Sequence, residues 1–297
     1  MLVRDSIAAF LLARAASRKA STVAHYRGRL ADFGRRCGDR ETATLAELEI
    51  RQQLDQASRF PDGRPKAPDT IRANMIAFDQ WQKWAVKAGH LPAALITEFE
   101  KPGSRERERI PTTAEVETVL RLATPAFAQI YRALRLCGAR PGELCRATIA
   151  DLDWTERVIL LADHKTVAKT KRPRRIAIGD DFGQLIRTAI GDRTAGPIFL
   201  SGINKAWTVP ALGQAFRRIR AQGNLAKDLV LYLSRHEFAS RLVDADVDIN
   251  AVATSLGHSG LQTVKRYVKV KNAKLVEWQN KVGEDHPPKA QIPPKAA

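Results

Sequence analysis

The chain has 297 residues, enough for two domains that each bury their own core. Lys plus Arg number 49 against 32 Asp plus Glu, giving a net charge of +17 and a pI near 10.2, a balance that favours a polyanionic partner. Its 3 cysteines, Cys37, Cys137 and Cys145, have no zinc-ligand spacing and no apolar run reaches membrane-spanning length, which argues against a disulfide scaffold, a zinc module or a membrane span.

Met1-Leu2-Val3-Arg4-Asp5 sets an acid before a short apolar run, and no cleavage site follows, so a cytoplasmic location is expected. Residues 1–100 read as a helical domain. Val23, Tyr26, Leu30 and Phe33 recur at spacings of three and four and share one helical face. Arg27, Arg29, Arg35 and Arg36 crowd the rest of that helix, where they form a solvated face or grip phosphates. Ile71, Met75, Phe78 and Trp81 form a second stripe, between a start at Asp69-Thr70 and a stop at Gly89. Both stripes are expected to be bundle core.

Residues 101–111 are rich in Pro, Gly and charge without apolar periodicity, and read as a linker. Thr112 to Glu115 is a capping box that opens a second domain over 112–282. A helix through Ile130, Leu134 and Cys137 stops at Gly138, and Arg140-Pro141 starts another. Arg157–Leu161 and Arg174–Ile178 are short β runs around a basic loop, His164 to Pro173, which makes a small sheet with a cationic tip. Helices resume at Asp180, around Ala211 to Arg220, and from Leu233. Leu212, Phe216 and Ile219 mark the apolar face of the second of these, with Arg217, Arg218 and Arg220 on the other. Residues 283–297 are a polar, proline-rich tail. The expected fold class is mainly α with a small β-sheet.

The second domain carries motifs in a telling order. They are Gly138-Ala139-Arg140-Pro141-Gly142-Glu143-Leu144, then Tyr232-Leu233-Ser234-Arg235-His236, then Leu256-Gly257-His258, then Tyr267. The chain resembles the tyrosine recombinase (phage integrase) family: strongly in these motifs, weakly in the helical first half, which is similar to the family's core-binding domain. The resemblance implies catalytic roles for Arg140, Lys169, Arg235, His258 and the nucleophile Tyr267, with Glu143 and His236 supporting them. Counting back from Arg175-Ile176-Ala177-Ile178 places the lysine at Lys169, with Lys165 and Lys171 as fallbacks. One departure is clear. Tyr232 stands where the family has a histidine, so a phenol that can still donate a hydrogen bond replaces an imidazole that can carry charge.

The residue types suit phosphodiester chemistry. Arginine forks neutralise the non-bridging oxygens as charge builds on them. A cationic field eases loss of the tyrosine proton, normally held to about pH 10. Lys169 would protonate the leaving 5′-oxygen, and no metal or other cofactor is called for. The resemblance implies double-stranded DNA as partner, a homotetramer on two DNA sites, and in some systems accessory DNA-bending proteins. Leu275, Val276 and Trp278 are candidates for docking into a neighbouring protomer, and Arg27, Arg35, Arg36, Arg217 and Arg218 for contacting the DNA backbone. A non-cleaving DNA-binding protein on this fold, a type IB topoisomerase and a generic basic protein such as a ribosome-associated factor are the rivals. Covalent attachment to a nicked substrate would exclude the first, and relaxation of plasmid lacking any specific site would favour the second.

Overall fold

The computed structural model describes residues 1–98, 100–103, 109–162 and 173–257. The chain forms two compact units, Met1–Arg107 and Glu108–Ala297.

The first unit is helical: α1 Val3–Ala15, α2 Ala20–Cys37, α3 Glu47–Ala57 and α4 Pro68–Lys87. On α2, Val23, Leu30, Phe33 and Cys37 are buried, as the stripe predicts, while Tyr26 is half-buried with its ring edge-on to Phe10. Phe33 meets Phe78 edge-to-face at 5.0 Å and Trp81 at 5.4 Å, which ties α2 to α4. Trp81 is fully buried and its indole N–H donates to Ser6 Oγ at 3.2 Å, so no polar atom is stranded there. Two expectations need correction. Helix α4 begins one residue before Asp69, at Pro68, where the missing N–H costs nothing. Ile71 and Met75 are half-buried and line a shallow groove with Leu54 and Ile96, so the core takes the second half of that stripe and not the first.

The second unit opens with α5, Thr113–Leu122. Its capping box is formed: Glu115 N–H donates to Thr112 Oγ1 at 3.2 Å and Thr112 N–H to Glu115 Oε2 at 2.9 Å. Next come α6 Pro125–Cys137, the single turn α7 Pro141–Leu144, and a three-stranded antiparallel sheet in sequence order. Its strands are β1 Leu152–Asp153, β2 Val158–Leu161 and β3 Arg174–Ala177, with Ile159 opposite Ile176 and Leu161 opposite Arg174. Strand β1 was not foreseen, and Arg157 lies outside β2 with φ +53°. Helices α8 Asp180–Ile190, α9 Val209–Gln222, α10 Leu233–Asp244 and α11 Ile249–Leu256 follow.

Helix α6 is the centre of this unit. Phe127, Ile130, Tyr131 and Leu134 are buried in one core with Ile159 and Ile176 of the sheet, Phe182 and Ile186 of α8, and Leu212 and Phe216 of α9. Each such side chain contributes about 1.5–3 kcal/mol by leaving water. Arg135 forks onto the Glu237 carboxylate and Arg241 donates to the Arg135 carbonyl, which fastens α10 along α6. Val252, Ala253 and Leu256 of α11 bury against Ala239 of α10. These contacts bring the ends of α6, α10 and α11 to β3.

Candidate active site

Helix α6 stops because Gly138 turns left-handed, with φ +60°. A Cβ at this position would lie 2.2 Å from Phe238 Cδ1, so the turn needs glycine for conformation and for space. Arg140 then sits at the start of α7, and Glu143 three residues on folds back over it. The Arg140 backbone N–H donates to Glu143 Oε2 at 3.0 Å, and its Nη1 donates to Glu143 Oε1 at 2.7 Å. Glu143 is 1% exposed. Both Glu143 oxygens are thus engaged by Arg140.

Arg235 is on the first turn of α10 and is fully buried. Its Nη1 donates to the Gly138 carbonyl at 2.8 Å and its Nη2 to the Leu256 carbonyl. Arg140 Nη2 reaches the Gly257 carbonyl at 3.4 Å. The two arginines, 95 residues apart in sequence by their numbers, thus meet at the end of α11.

A third arginine joins them that sequence reasoning missed. Arg174 begins β3 and is 4% exposed. It donates to the Ser255 carbonyl at 2.6 Å, the Thr254 carbonyl at 3.3 Å and the Arg175 carbonyl at 2.6 Å. Its Nε lies 3.5 Å from Glu143 Oε2. Strand alternation was the available signal, since Arg174 shares the inward face of β3 with Ile176. Ser255, Leu256 and Gly257 present carbonyls at the helix end that Arg174, Arg235 and Arg140 take up, and Arg174 also reaches the Thr254 carbonyl, which already accepts the Gly257 N–H.

Arg140 and Arg174 thus share one carboxylate, Glu143, and Arg235 lies near enough to feel its charge. Burial would raise the Glu143 pKa, but the Arg174 charge and the Arg140 hydrogen bonds overturn it and hold the carboxyl below its usual range. Burial, the largest influence on Arg235, pulls its guanidinium down to about 10, so it stays charged at neutral pH. Burial likewise lowers Arg174, partly offset by Glu143. Cys137 beside them is pushed up to about 12 by burial and is no thiolate nucleophile.

Tyr232 precedes α10 and is 40% exposed, with its ring edge-on to buried His236 at 5.6 Å. The structure brings Arg140, Glu143, Tyr232, Arg235 and His236 onto the α6–α10 junction. Lys169, with its fallbacks Lys165 and Lys171, lies outside the described residues, as do His258, Tyr267, Leu275, Val276 and Trp278.

Of the arginines expected on DNA, Arg27, Arg35 and Arg36 are exposed on α2. Arg35 and Arg36 line a groove of about 690 Å³ with Arg29, Arg59 and Lys66. Arg35 donates to Asp32 at 2.6 Å and Arg36 to Gln56 at 2.9 Å, exposed contacts that cost little to exchange for a phosphate. Arg217 and Arg218 are exposed on α9. Arg220 is not part of that face: it donates to the Lys227 and Leu229 carbonyls at 2.7 and 3.2 Å and secures the following loop.

Comparison with known proteins agrees with this geometry. Tyrosine recombinase XerC of Corynebacterium glutamicum is 27% identical over 280 residues, covering 89% of this chain and 86% of that protein. XerC of Chromohalobacter salexigens is 25% identical over 270 residues, covering 84% and 83%. A lambda integrase dimer bound to a COC′ core site superposes with a TM-score of 0.73 at 14% identity, over 90% of this chain and 77% of that one. The Tn1549 transposon integrase in complex with circular intermediate DNA gives 0.70 at 20% identity, over 94% and 99%. These two share the fold. The phage integrase family model matches residues 112–274, more than half of the chain. The chain therefore belongs to the phage integrase family, the tyrosine recombinases that cut and rejoin DNA.

Proposed function

We propose that Tyr267 attacks a scissile phosphate at a specific DNA site, while Arg140 and Arg235 hold the phosphate's non-bridging oxygens. The observation that carries this reading is the meeting of Arg140 and Arg235 at the end of α11, with Arg174 beside them. Such a cluster suits an anion, and arginine forks suit a phosphate that gains charge in its transition state. The tyrosine oxygen bonds to phosphorus as the bond to the 5′-oxygen breaks. This leaves a 3′-phosphotyrosyl link and a free 5′-hydroxyl. His258 takes or shares the tyrosine proton and Lys169 supplies the proton to the leaving oxygen. Tyr232 donates its hydroxyl to a phosphate oxygen, and its 40% exposure leaves it reachable. The phosphotyrosyl link keeps the bond energy for rejoining to a second 5′-hydroxyl.

Residues 1–100 serve as the core-binding domain and 112–282 as the catalytic domain, with Arg27, Arg35, Arg36, Arg217 and Arg218 on DNA phosphates. Four protomers assemble on two sites, a reading supported by likeness to a lambda integrase tetramer bound to a Holliday junction, at a TM-score of 0.72 and 15% identity. Accessory DNA-bending proteins assist where the sites require them. The protein works in the cytoplasm, on the nucleoid.

The test is a duplex carrying the site with a nick beside the scissile phosphate, so that the released fragment diffuses away and the covalent complex accumulates. The parent protein is expected to become attached to DNA in a denaturing gel. Tyr267→Phe should bind the same duplex and remain unattached. Attachment of the Phe variant would move the nucleophile elsewhere, with Tyr232 next in line. Relaxation of plasmid that lacks the site would favour a topoisomerase.

A further inference from the structure

We propose that Arg174 is a positioning residue for the cleavage reaction: without touching the phosphate, it sets where Arg140 and Arg235 present theirs. The inference rests on the recombinase reading above. It goes beyond it in giving a role to an arginine outside the expected set.

Every polar contact of Arg174 is made inward. Its terminal nitrogens are taken up by the carbonyls of Thr254, Ser255 and Arg175, and its Nε faces Glu143. With 4% exposure it has no surface to offer a DNA strand. What it touches, however, is what holds the other two arginines. Glu143 receives Arg140, and the carbonyls immediately following Ser255 receive Arg235 and Arg140, at Leu256 and Gly257. Arg174 thus braces both supports at once, the carboxylate and the end of α11.

The backbone of α11 is shaped for this contact. Gly257 has φ +62°, and a Cβ there would lie 2.8 Å from Arg174 Cδ and Nε and 3.0 Å from Cζ. The Arg174 side chain therefore lies directly against the bare backbone of the Gly257 turn, a fit that any larger residue would break. Lysine cannot stand in for Arg174. One ammonium group lacks the planar fork that serves two carbonyls on one side and a carboxylate on the other.

The chemical prediction is specific. Arg140 and Arg235 are needed because the phosphate is an anion that gains charge. If Arg174 acts through them, its loss should matter most while that charge is present. The experiment compares Arg174→Met, Arg174→Lys and Gly257→Ala with the parent on saturating nicked duplex, in single-turnover cleavage. Two substrates are used: the natural phosphodiester, and a methylphosphonate in which one non-bridging oxygen is replaced by methyl and the charge removed. All variants are expected to bind DNA as the parent does and to cleave the phosphodiester about a hundredfold more slowly, the scale of a small misplacement of reacting groups. On the methylphosphonate, whose transition state carries one negative charge fewer, the variants should be slowed far less relative to the parent. Equal slowing on both substrates would overturn the proposal, since the damage would then lie in the fold or in another step. Full activity of Arg174→Lys would also overturn it, because charge and not geometry would be the contribution. Should Arg174→Met not fold, Gly257→Ala carries the same comparison, since it displaces the side chain without removing it. A parent protein that forms no covalent complex on either substrate would instead sink the recombinase reading.

Discussion

Replacing Glu143 by Gln removes one charge and changes the volume hardly at all. Glu143 is 1% exposed and stands between Arg140 Nη1 at 2.7 Å and Arg174 Nε at 3.5 Å. The amide oxygen of Gln can still accept from the Arg140 backbone, but its NH2 must face a guanidinium donor. Arg140 and Arg174 lose the carboxylate that they share. Removing one partner of a buried pair typically costs about 3–5 kcal/mol. For a unit of this size each kcal/mol lowers Tm by roughly 2–4 °C, so Glu143→Gln should lose about 6–20 °C. The effect should also depend on pH in a definite direction. The folded-state pKa of Glu143 lies below its ordinary 4.5, so its stabilisation is present above that value and is lost as pH falls through the lower folded value. The gap in Tm between parent and variant should therefore be constant from pH 8 to about pH 5 and close progressively as pH falls through the lower folded value. Calorimetry across that range is the assay. A gap under about 2 °C at pH 7, or one that persists unchanged in acid, would refute the reasoning, because the carboxylate would then not be the counter-ion of this cluster.

Three other outcomes follow from particular contacts. Gly138→Ala adds a methyl that meets the Phe238 ring in a left-handed turn, and the conformational and packing costs sum to about 2–5 kcal/mol; a variant that melts with the parent would show that this turn readily rebuilds. Tyr232→Phe should slow cleavage roughly ten- to hundredfold, the worth of one hydrogen bond to a charged oxygen, while Tyr232→His keeps substantial activity; a Phe variant as fast as the parent would mean the phenol only packs against His236. DNA affinity should fall steeply with salt, and Arg35→Ala and Arg36→Ala should each flatten the log–log slope by about one; an unchanged slope would remove those side chains from the DNA contact.

What the sequence made legible divides along physical lines. Arg140 and Glu143 could be read because their geometry is local: a glycine stop, a proline at a helix start and an acid three residues on leave few ways to fold, whereas Arg235, with carbonyl partners 97 and 21 residues away, was read from the motif around it. The stripes on α2 and α4 were legible as faces, since period 3.6 needs no partner to be recognised. How deep a face sits does need a partner, and that is why Phe78 and Trp81 are buried while Ile71 and Met75 are not. Strand β1, Leu152–Asp153, is too short to leave any period.

Arg174 failed for a subtler reason. Alternation already set it on the inward face, but an arginine reads as surface by default, and the carbonyls that receive it lie 80 and 81 residues away. Nor does burial alone mark such an arginine as functional. Arg193 donates to the carbonyls of Ala189, Ile190, Pro197 and Ile198 and merely ties the end of α8 to the next loop. Arg135 has a whole carboxylate to itself in Glu237. The feature at the α6–α10 junction is that buried guanidinium groups from three elements meet at the end of α11. A cluster of guanidinium groups at the ends of three elements suits a substrate that is itself an anion. Binding of phosphate-bearing DNA should therefore stabilise the parent more than it stabilises a variant from which Arg235 has been removed, and this difference in Tm shift measures the charge that the site holds in reserve.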